Sequence, residues 1–305
     1  VIVESLQTFI NEIFLIITFF FKIKTCIISH GISLMPNKKN LVFIIKLSLS
    51  VLYLPILFFI IYKIDYFLTL DKESQYHRYL DTNIYKLLNG EKNLFVFNNT
   101  SKFEKFEKFE KFEKFENKKK IFNKDKNYIV SIGYINSLKN QLDQLILAKK
   151  IDQSFRILIV YSFLDQNYYT YLQKFIKKNK ILNVEFIQQN KVNLEEIILN
   201  SEFVINTSKT EVVPLTLIET ISLRKIFLSY DVGSIKKIKG GIVNKNFDLL
   251  LHNVNVLLKN KNLKKKLEQA AFEDYEKNFK NINLQITFDL FLNDVYKTLQ
   301  INEKS

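Results

Sequence analysis

The second half of this chain is predicted to be an α/β domain on a parallel, doubly wound sheet, and three observations carry that expectation. From residue 128 onward, strand-length apolar runs alternate with helix-length segments. The runs are continuously apolar, as in strands covered on both faces. The order strand, helix, strand, helix implies crossover connections and parallel pairing. Strands are expected at 128–132, 155–161, 182–187, 202–206 and 226–229, and helices at 138–150, 166–178, 193–199 and 214–223. Ligands on such sheets bind at the carboxyl ends of the strands. Gly133, Lys139, Ser208, Glu211 and Gly233 all fall in loops at that edge and are the first candidates for function.

The first half holds a fainter version of the same alternation. Residues 5–21 are apolar and nearly uncharged, and read as a buried helix. Lys22 and Lys24 follow, then a buried strand over TCIIS that ends in a loop at His30-Gly31. Residues 41–62 form the longest apolar run, but the stretch between Lys46 and Lys63 is shorter than the roughly 20 residues a spanning helix needs. It reads as a buried or membrane-surface helix, with a transmembrane helix as the alternative. IDYFLTL (64–70) and LFVFN (94–98) read as strands. Residues 102–116 are five copies of Lys-Phe-Glu. A period of three does not match 3.6, so the Phe residues would spiral around a helix and form no stripe. This segment reads as a solvent-exposed connection, with a membrane-surface anchor as the functional alternative. The expected organisation is a partial α/β domain at 1–100, a low-complexity linker at 101–127, a nucleotide-binding domain at 128–280, and a C-terminal helix and tail at 281–305. The chain begins at Val1 and its first signals read as mid-domain, so either further sequence upstream or translation from an unusual start is expected; the early apolar run lacks the flanks of a secretory signal.

Composition narrows the chemistry. The 305 residues leave room for one large or two ordinary domains. The single cysteine, Cys26, excludes a disulfide framework and a cysteine-based metal site. His30, His77 and His252 lie far apart and give no metal-ligand cluster, and the expectation is of no separate cofactor. The net charge of +14 favours phosphate-bearing partners. No zinc spacing, RNP-like strand or Arg-rich stripe is present, which argues against nucleic acid and leaves a nucleotide or a membrane surface, with a solvated face of scattered lysines as the plain alternative.

The sharpest feature is SKTEVVPLTLIE, which puts Glu211 and Glu219 eight residues apart. Pro214 with Thr210 reads as a helix start, because Pro fits the first turn and Thr can accept from orphan N–H groups. Glu211 then precedes the helix and Glu219 lies about one and a half turns inside it. Between them, the first-turn amides of Leu215 and Thr216 make an anion site. Amides for a diphosphate, flanked by carboxylates for ribose and sugar hydroxyls, suit a nucleotide-sugar. The alternative is two glutamates favoured near a helix start by its dipole. Lys139, close to the start of another helix, is disfavoured there by the dipole unless an anion joins it.

These residues resemble the retaining, two-domain GT-B glycosyltransferases of family 4, the group 1 transferases, whose C-terminal domain carries Ser-x-x-Glu, seven residues and a second Glu. Ser208-Lys-Thr-Glu211 and Glu219 match that pattern. YIVSIGYINSLKN (128–140) is similar to the family's opening strand and loop, IFLSYDVGSI (226–235) to the strand and Asp-x-Gly turn after the second Glu, and residues 256–279 to its closing helices. The resemblance implies a GT-B-like fold with a Rossmann-like C-terminal domain. It implies that Lys139 serves the diphosphate, Glu211 the transferred sugar and Glu219 the ribose, with Ser208, Leu215, Thr216 and Gly133 around the nucleotide. His30 is similar to the family's N-domain cleft residue, with a core histidine as the alternative, and Asn98 is similar to its Asn-Gly position. The implied donor is a UDP- or GDP-sugar and the implied acceptor a glycan or lipid-linked acceptor. The implied location is cytoplasmic, peripheral at the inner face of a membrane. Tyr134 stands where the family has Arg, and Tyr161 and Arg224 where it has Gly. Those departures keep open a degenerate protein that binds a nucleotide or partner without turnover; a membrane-anchored structural protein is a third reading.

Overall fold

The computed structural model describes residues 1–4, 6, 9–30, 53–70, 80–103 and 127–303, and the chain divides into two compact units, 1–99 with 282–305 and 100–281. Gly31, His77, the first part of the 41–62 run and all but the first two residues of the Lys-Phe-Glu repeats lie outside the described residues.

In the unit spanning 100–281, six strands form one parallel sheet: β5 (Tyr128–Ile132), β6 (Arg156–Tyr161), β7 (Val184–Gln188), β8 (Val204–Asn206), β9 (Phe227–Tyr230) and β10 (Gly241–Asn244). Their order is β10-β9-β8-β5-β6-β7. The chain winds outward from β5 to β7, returns to β8 and winds the other way, so the topological switch point lies between β5 and β8. The continuous apolar runs explain the sheet: Ile129, Val130, Ile157, Leu158, Val204, Ile205, Phe227 and Leu228 are all buried. Helices α4 (Gln141–Lys150), α5 (Gln166–Asn179), α6 (Leu194–Asn200), α7 (Leu215–Ser222), α8 (Phe247–Lys259) and α9 (Lys261–Asn278) supply the crossovers and the closing pair. Asp165, Asn193, Asn246 and Asn260 cap α5, α6, α8 and α9 by accepting first-turn N–H groups.

Strand β10 was not expected from the sequence pattern. It follows Gly240, and at Gly241 a Cβ would overlap the Phe227 ring of the neighbouring strand, so glycine is what lets β10 pair with β9. Arg224 does not extend α7. It adopts φ 56 beyond the helix end, where Lys225 N–H bonds the Thr220 carbonyl (3.1 Å) and Arg224 N–H bonds that of Ile221 (3.1 Å). This is a Schellman stop with arginine in the left-handed position usually given to glycine.

The other unit carries a second parallel sheet in the order β1-β2-β3-β4: β1 (Ile2–Glu4), β2 (Cys26–Ser29), β3 (Tyr66–Thr69) and β4 (Leu94–Val96). Helix α1 (Phe9–Phe20), a helix over 53–63 (α2), α3 (Leu80–Asn89) and α10 (Asn281–Glu303) accompany it. One expectation is corrected here. The 5–21 segment is not a buried helix: α1 buries Leu15 and Thr18 but leaves Ile10, Phe14 and Phe20 exposed. A helix apolar all round buries only the stripe that meets its neighbours. The described end of the 41–62 run does the same, burying Leu57, Ile60 and Ile61 while Ile56, Phe59 and Tyr62 face outward. Among the described residues, no helix is long and apolar enough to cross a membrane. Helix α10 belongs to this unit, with Phe291 packed edge-on to Tyr66 and Phe95 at centroid distances of 5.6 and 5.4 Å.

Candidate functional site

The loops after β5 and β8 meet at the switch point and are joined there. Lys209 N–H donates to the Leu138 carbonyl (2.8 Å), and the Thr207 hydroxyl lies 3.1 and 3.0 Å from the carbonyls of Lys139 and Asn140. Gln144 of α4 donates to both the Ser131 and the Thr207 hydroxyls at 2.8 Å, beneath the joint. Asn136 shapes the first loop by accepting the N–H groups of Leu138 (3.1 Å) and Lys139 (2.9 Å). Asn140 holds a left-handed conformation (φ 54), and its side-chain amide donates to Asp143 (2.8 Å). Asp143 also accepts from the Tyr230 hydroxyl (2.6 Å). Burial, then this bond to a carboxylate, pushes the Tyr230 hydroxyl above the usual tyrosine range. The buried network fixes the loop that presents Lys139.

Lys139 Nζ lies 2.5 Å from Glu211 Oε1, and the carboxylate is nearly covered. This partly desolvated ion pair unites two residues 72 positions apart in sequence. Gly133 lies against the Lys139 stem: a Cβ there would make only an ordinary contact, 3.8 Å, with the Lys139 methylenes. Gly233 supports the pair from below. Its φ of 57 favours glycine, and a Cβ would overlap the Glu211 backbone carbonyl. Ser234 N–H donates to the Val212 carbonyl (3.0 Å) and ties the same two loops.

Helix α7 begins beside Glu211. Pro214 is its N-cap residue, and no side chain caps the helix. Thr210, expected to accept from the first turn, lies four residues before the N-cap position and does not cap the helix. The first turn therefore offers the amides of Leu215 and Thr216 without side-chain competition. Glu219, the fifth residue of α7, is only 8% exposed, and its Oε1 lies 3.2 Å from Lys102 Nζ.

Ser208 sits differently from its neighbours in the motif. It is fully buried, and both its N–H and its hydroxyl donate to Asn206 Oδ1 (3.1 and 2.6 Å). Its visible work is to turn the loop. His30, at the carboxyl end of β2, is exposed with Nε2 2.9 Å from Glu4, so it is not a core histidine. It lies in the other unit from Lys139, Glu211 and Glu219. Asn98 is exposed after β4. Among the described residues no group of three or more His, Cys, Asp or Glu could hold a metal ion. Lys102 escaped the sequence reading, since nothing in the first Lys of a repeat marks it as a partner of Glu219.

Comparison with known proteins places this geometry in a family. A model of the family described as Glycosyl transferases group 1 matches residues 112–274, more than half of the chain. Among solved structures, Anabaena Alr3699/HepE in complex with UDP superposes with a TM-score of 0.70 at 10% identity, covering 96% of this chain and 78% of that one. An alpha,alpha-trehalose 6-phosphate synthase from Burkholderia multivorans gives 0.71 at 8% identity, covering 99% and 72%. TarM of S. aureus, in complex with UDP, gives 0.62 at 16% identity; the match covers 88% of this chain and about half (51%) of TarM. At these identities the likeness is one of fold. A search of curated proteins finds no matching sequence. The family match, the two parallel-sheet α/β units and the shared GT-B fold together make this chain a member of the group 1 glycosyl transferases.

Proposed function

We propose that the chain uses a nucleotide-sugar of the UDP or GDP type as donor, with no separate cofactor, and transfers the sugar with retention of configuration to a glycan or lipid-linked acceptor. The observation that carries this reading is the Lys139–Glu211 pair beside the uncapped start of α7, with Glu219 one turn further on. In the transfer, an acceptor hydroxyl oxygen bonds the sugar's anomeric carbon on the face the diphosphate leaves. The bond to the diphosphate oxygen breaks with the electron pair staying on that oxygen, and the acceptor's proton passes to the departing diphosphate. Charge grows on the diphosphate, where Lys139 and the Leu215 and Thr216 amides are prearranged to receive it. Glu211 serves the hydroxyls of the transferred sugar and Glu219 those of the ribose, each as a charge-assisted acceptor. Gly133, beside the Lys139 stem, lines the nucleotide, Ser208 shapes the loop, and His30 serves the acceptor. HepE is known in complex with UDP and with UDP-glucose, which supports a uridine donor. The exposed apolar side of α1 supports a peripheral position at the inner face of a membrane, where a lipid-linked acceptor would be met.

Calorimetric titration with UDP and GDP tests the binding role. Glu219→Ala is expected to lose about 1.5–3 kcal/mol of affinity, the size of a hydrogen bond to a charged group; equal affinity of variant and parent would remove Glu219 from the site. A second reading, binding without turnover, is favoured by Tyr134, an uncharged and half-exposed ring against Phe163 where the family carries a cation. Nucleotide release from a panel of UDP- and GDP-sugars, with glycan and lipid-linked acceptors, separates the two.

A further inference from the structure

Glu219 is a nearly buried carboxylate, and burying an ionised group is costly unless a partner of opposite charge accompanies it. That partner is Lys102, 117 positions earlier in sequence, from the segment that precedes β5. Residues 101–103 are pinned. The Ser222 hydroxyl, three residues after Glu219 on the same helix, donates to the buried Ser101 hydroxyl (2.7 Å). Phe103 N–H donates to Ser101 Oγ (3.1 Å), and the Phe103 ring packs against the core of the 100–281 unit. Lys102 Nζ stands 5.0 Å from the centre of that ring. The first Lys-Phe pair of the repeat is therefore part of the folded unit.

The charge count gives this contact a role. A site with Glu211 and Glu219 balanced by Lys139 alone would carry a net negative charge, in a place that must accept a diphosphate with about two further negative charges at neutral pH. Tyr134 adds none. With Lys102 the four side chains sum to zero, and the α7 amides then tip the local field toward anions. Lys102 engages Oε1 of Glu219, and no described residue bonds Oε2, so a ribose hydroxyl can be taken without displacing the lysine. We propose that Lys102 is the second cation of the nucleotide site: a positioning residue that neutralises Glu219 and sets affinity for the diphosphate rather than for the nucleoside. This assignment rests on reading the 211–219 segment as the nucleotide site.

The test uses the full chain and four proteins: parent, Lys102→Met, which keeps an aliphatic stem over Phe103, Lys102→Arg and Glu219→Ala. UDP is titrated calorimetrically at low and moderate salt, and uridine is followed by ligand-observed NMR. Lys102→Met is expected to weaken UDP about tenfold, to leave uridine within about twofold, and to flatten the salt dependence of UDP binding; Lys102→Arg is expected to restore the parent values. Unchanged UDP affinity in Lys102→Met overturns the assignment alone, as does an equal loss for UDP and uridine, which would mark a purely structural ion pair. A parent chain that binds neither UDP nor GDP overturns the site reading itself, and this assignment with it.

Discussion

Gly233 is where the loop after β9 passes under the backbone of Glu211, with no space for a side chain between them. Gly233→Ala would meet both an unfavourable φ and a backbone carbonyl, and is expected to cost about 2–4 kcal/mol in denaturant unfolding. It should also weaken UDP, because Glu211 and the start of α7 move together through Ser234 and Val212. An alanine variant as stable as the parent would mean that the two loops part at little cost. The carboxylates and Lys139 were legible in the sequence, since the spacing of Glu211 and Glu219 around Pro214 sets their places relative to one helix. Ser208 was legible as a motif position, but its burial was not: a serine before such a helix looks the same whether its hydroxyl faces a ligand or Asn206. Lys102 was illegible, because a contact across more than a hundred residues leaves no local trace.

Helix ends show what the sequence conceals at the next scale. The starts of α5, α6, α8 and α9 carry Asp or Asn caps, and the expected starts at 166 and 193 agree with α5 and α6 within a residue. Ends are usually read from glycine, and this chain has only six glycines. Lys22, Lys180 and Arg224 take the left-handed stop positions instead, at φ 53, 52 and 56, each followed by a residue that bonds back five positions: Ile23 to Thr18, Ile181 to Ile176, Lys225 to Thr220. A basic side chain there gains from the helix dipole while its backbone is strained. Lys180 is exposed at the end of α5, so Lys180→Gly is expected to raise stability by about 0.5–1 kcal/mol as the left-handed penalty is relieved. An unchanged or lower urea midpoint would show that the dipole term or added chain entropy outweighs the strain. The sheet of the 100–281 unit was readable because strands covered on both faces are apolar without interruption. The other unit was read less well, because an apolar helix such as α1 gives no sign of which stripe it will bury.

At the scale of the whole chain, each unit has its own core, and the chain's last long helix belongs to the unit in which the chain begins. The only thiol lies beneath that helix: Cys26 on β2 forms one buried cluster with Tyr66, Leu68 and Phe291 of α10. Burial pushes the Cys26 thiol up to about 12, so at pH 8 it is both covered and protonated. A thiol-specific reagent can therefore reach it only when α10 lifts or the unit opens, and the modification rate becomes a clock for that event. Phe291→Ala should speed labelling by about a hundredfold or more, on the scale of the 3–5 kcal/mol that deleting a buried ring costs. Labelling as slow as in the parent would show that something other than α10 guards the sulfur. Because the 100–281 unit holds no cysteine, the signal is silent to anything that happens there, and one reagent can time the fastening of the chain's tail while the nucleotide site is studied separately.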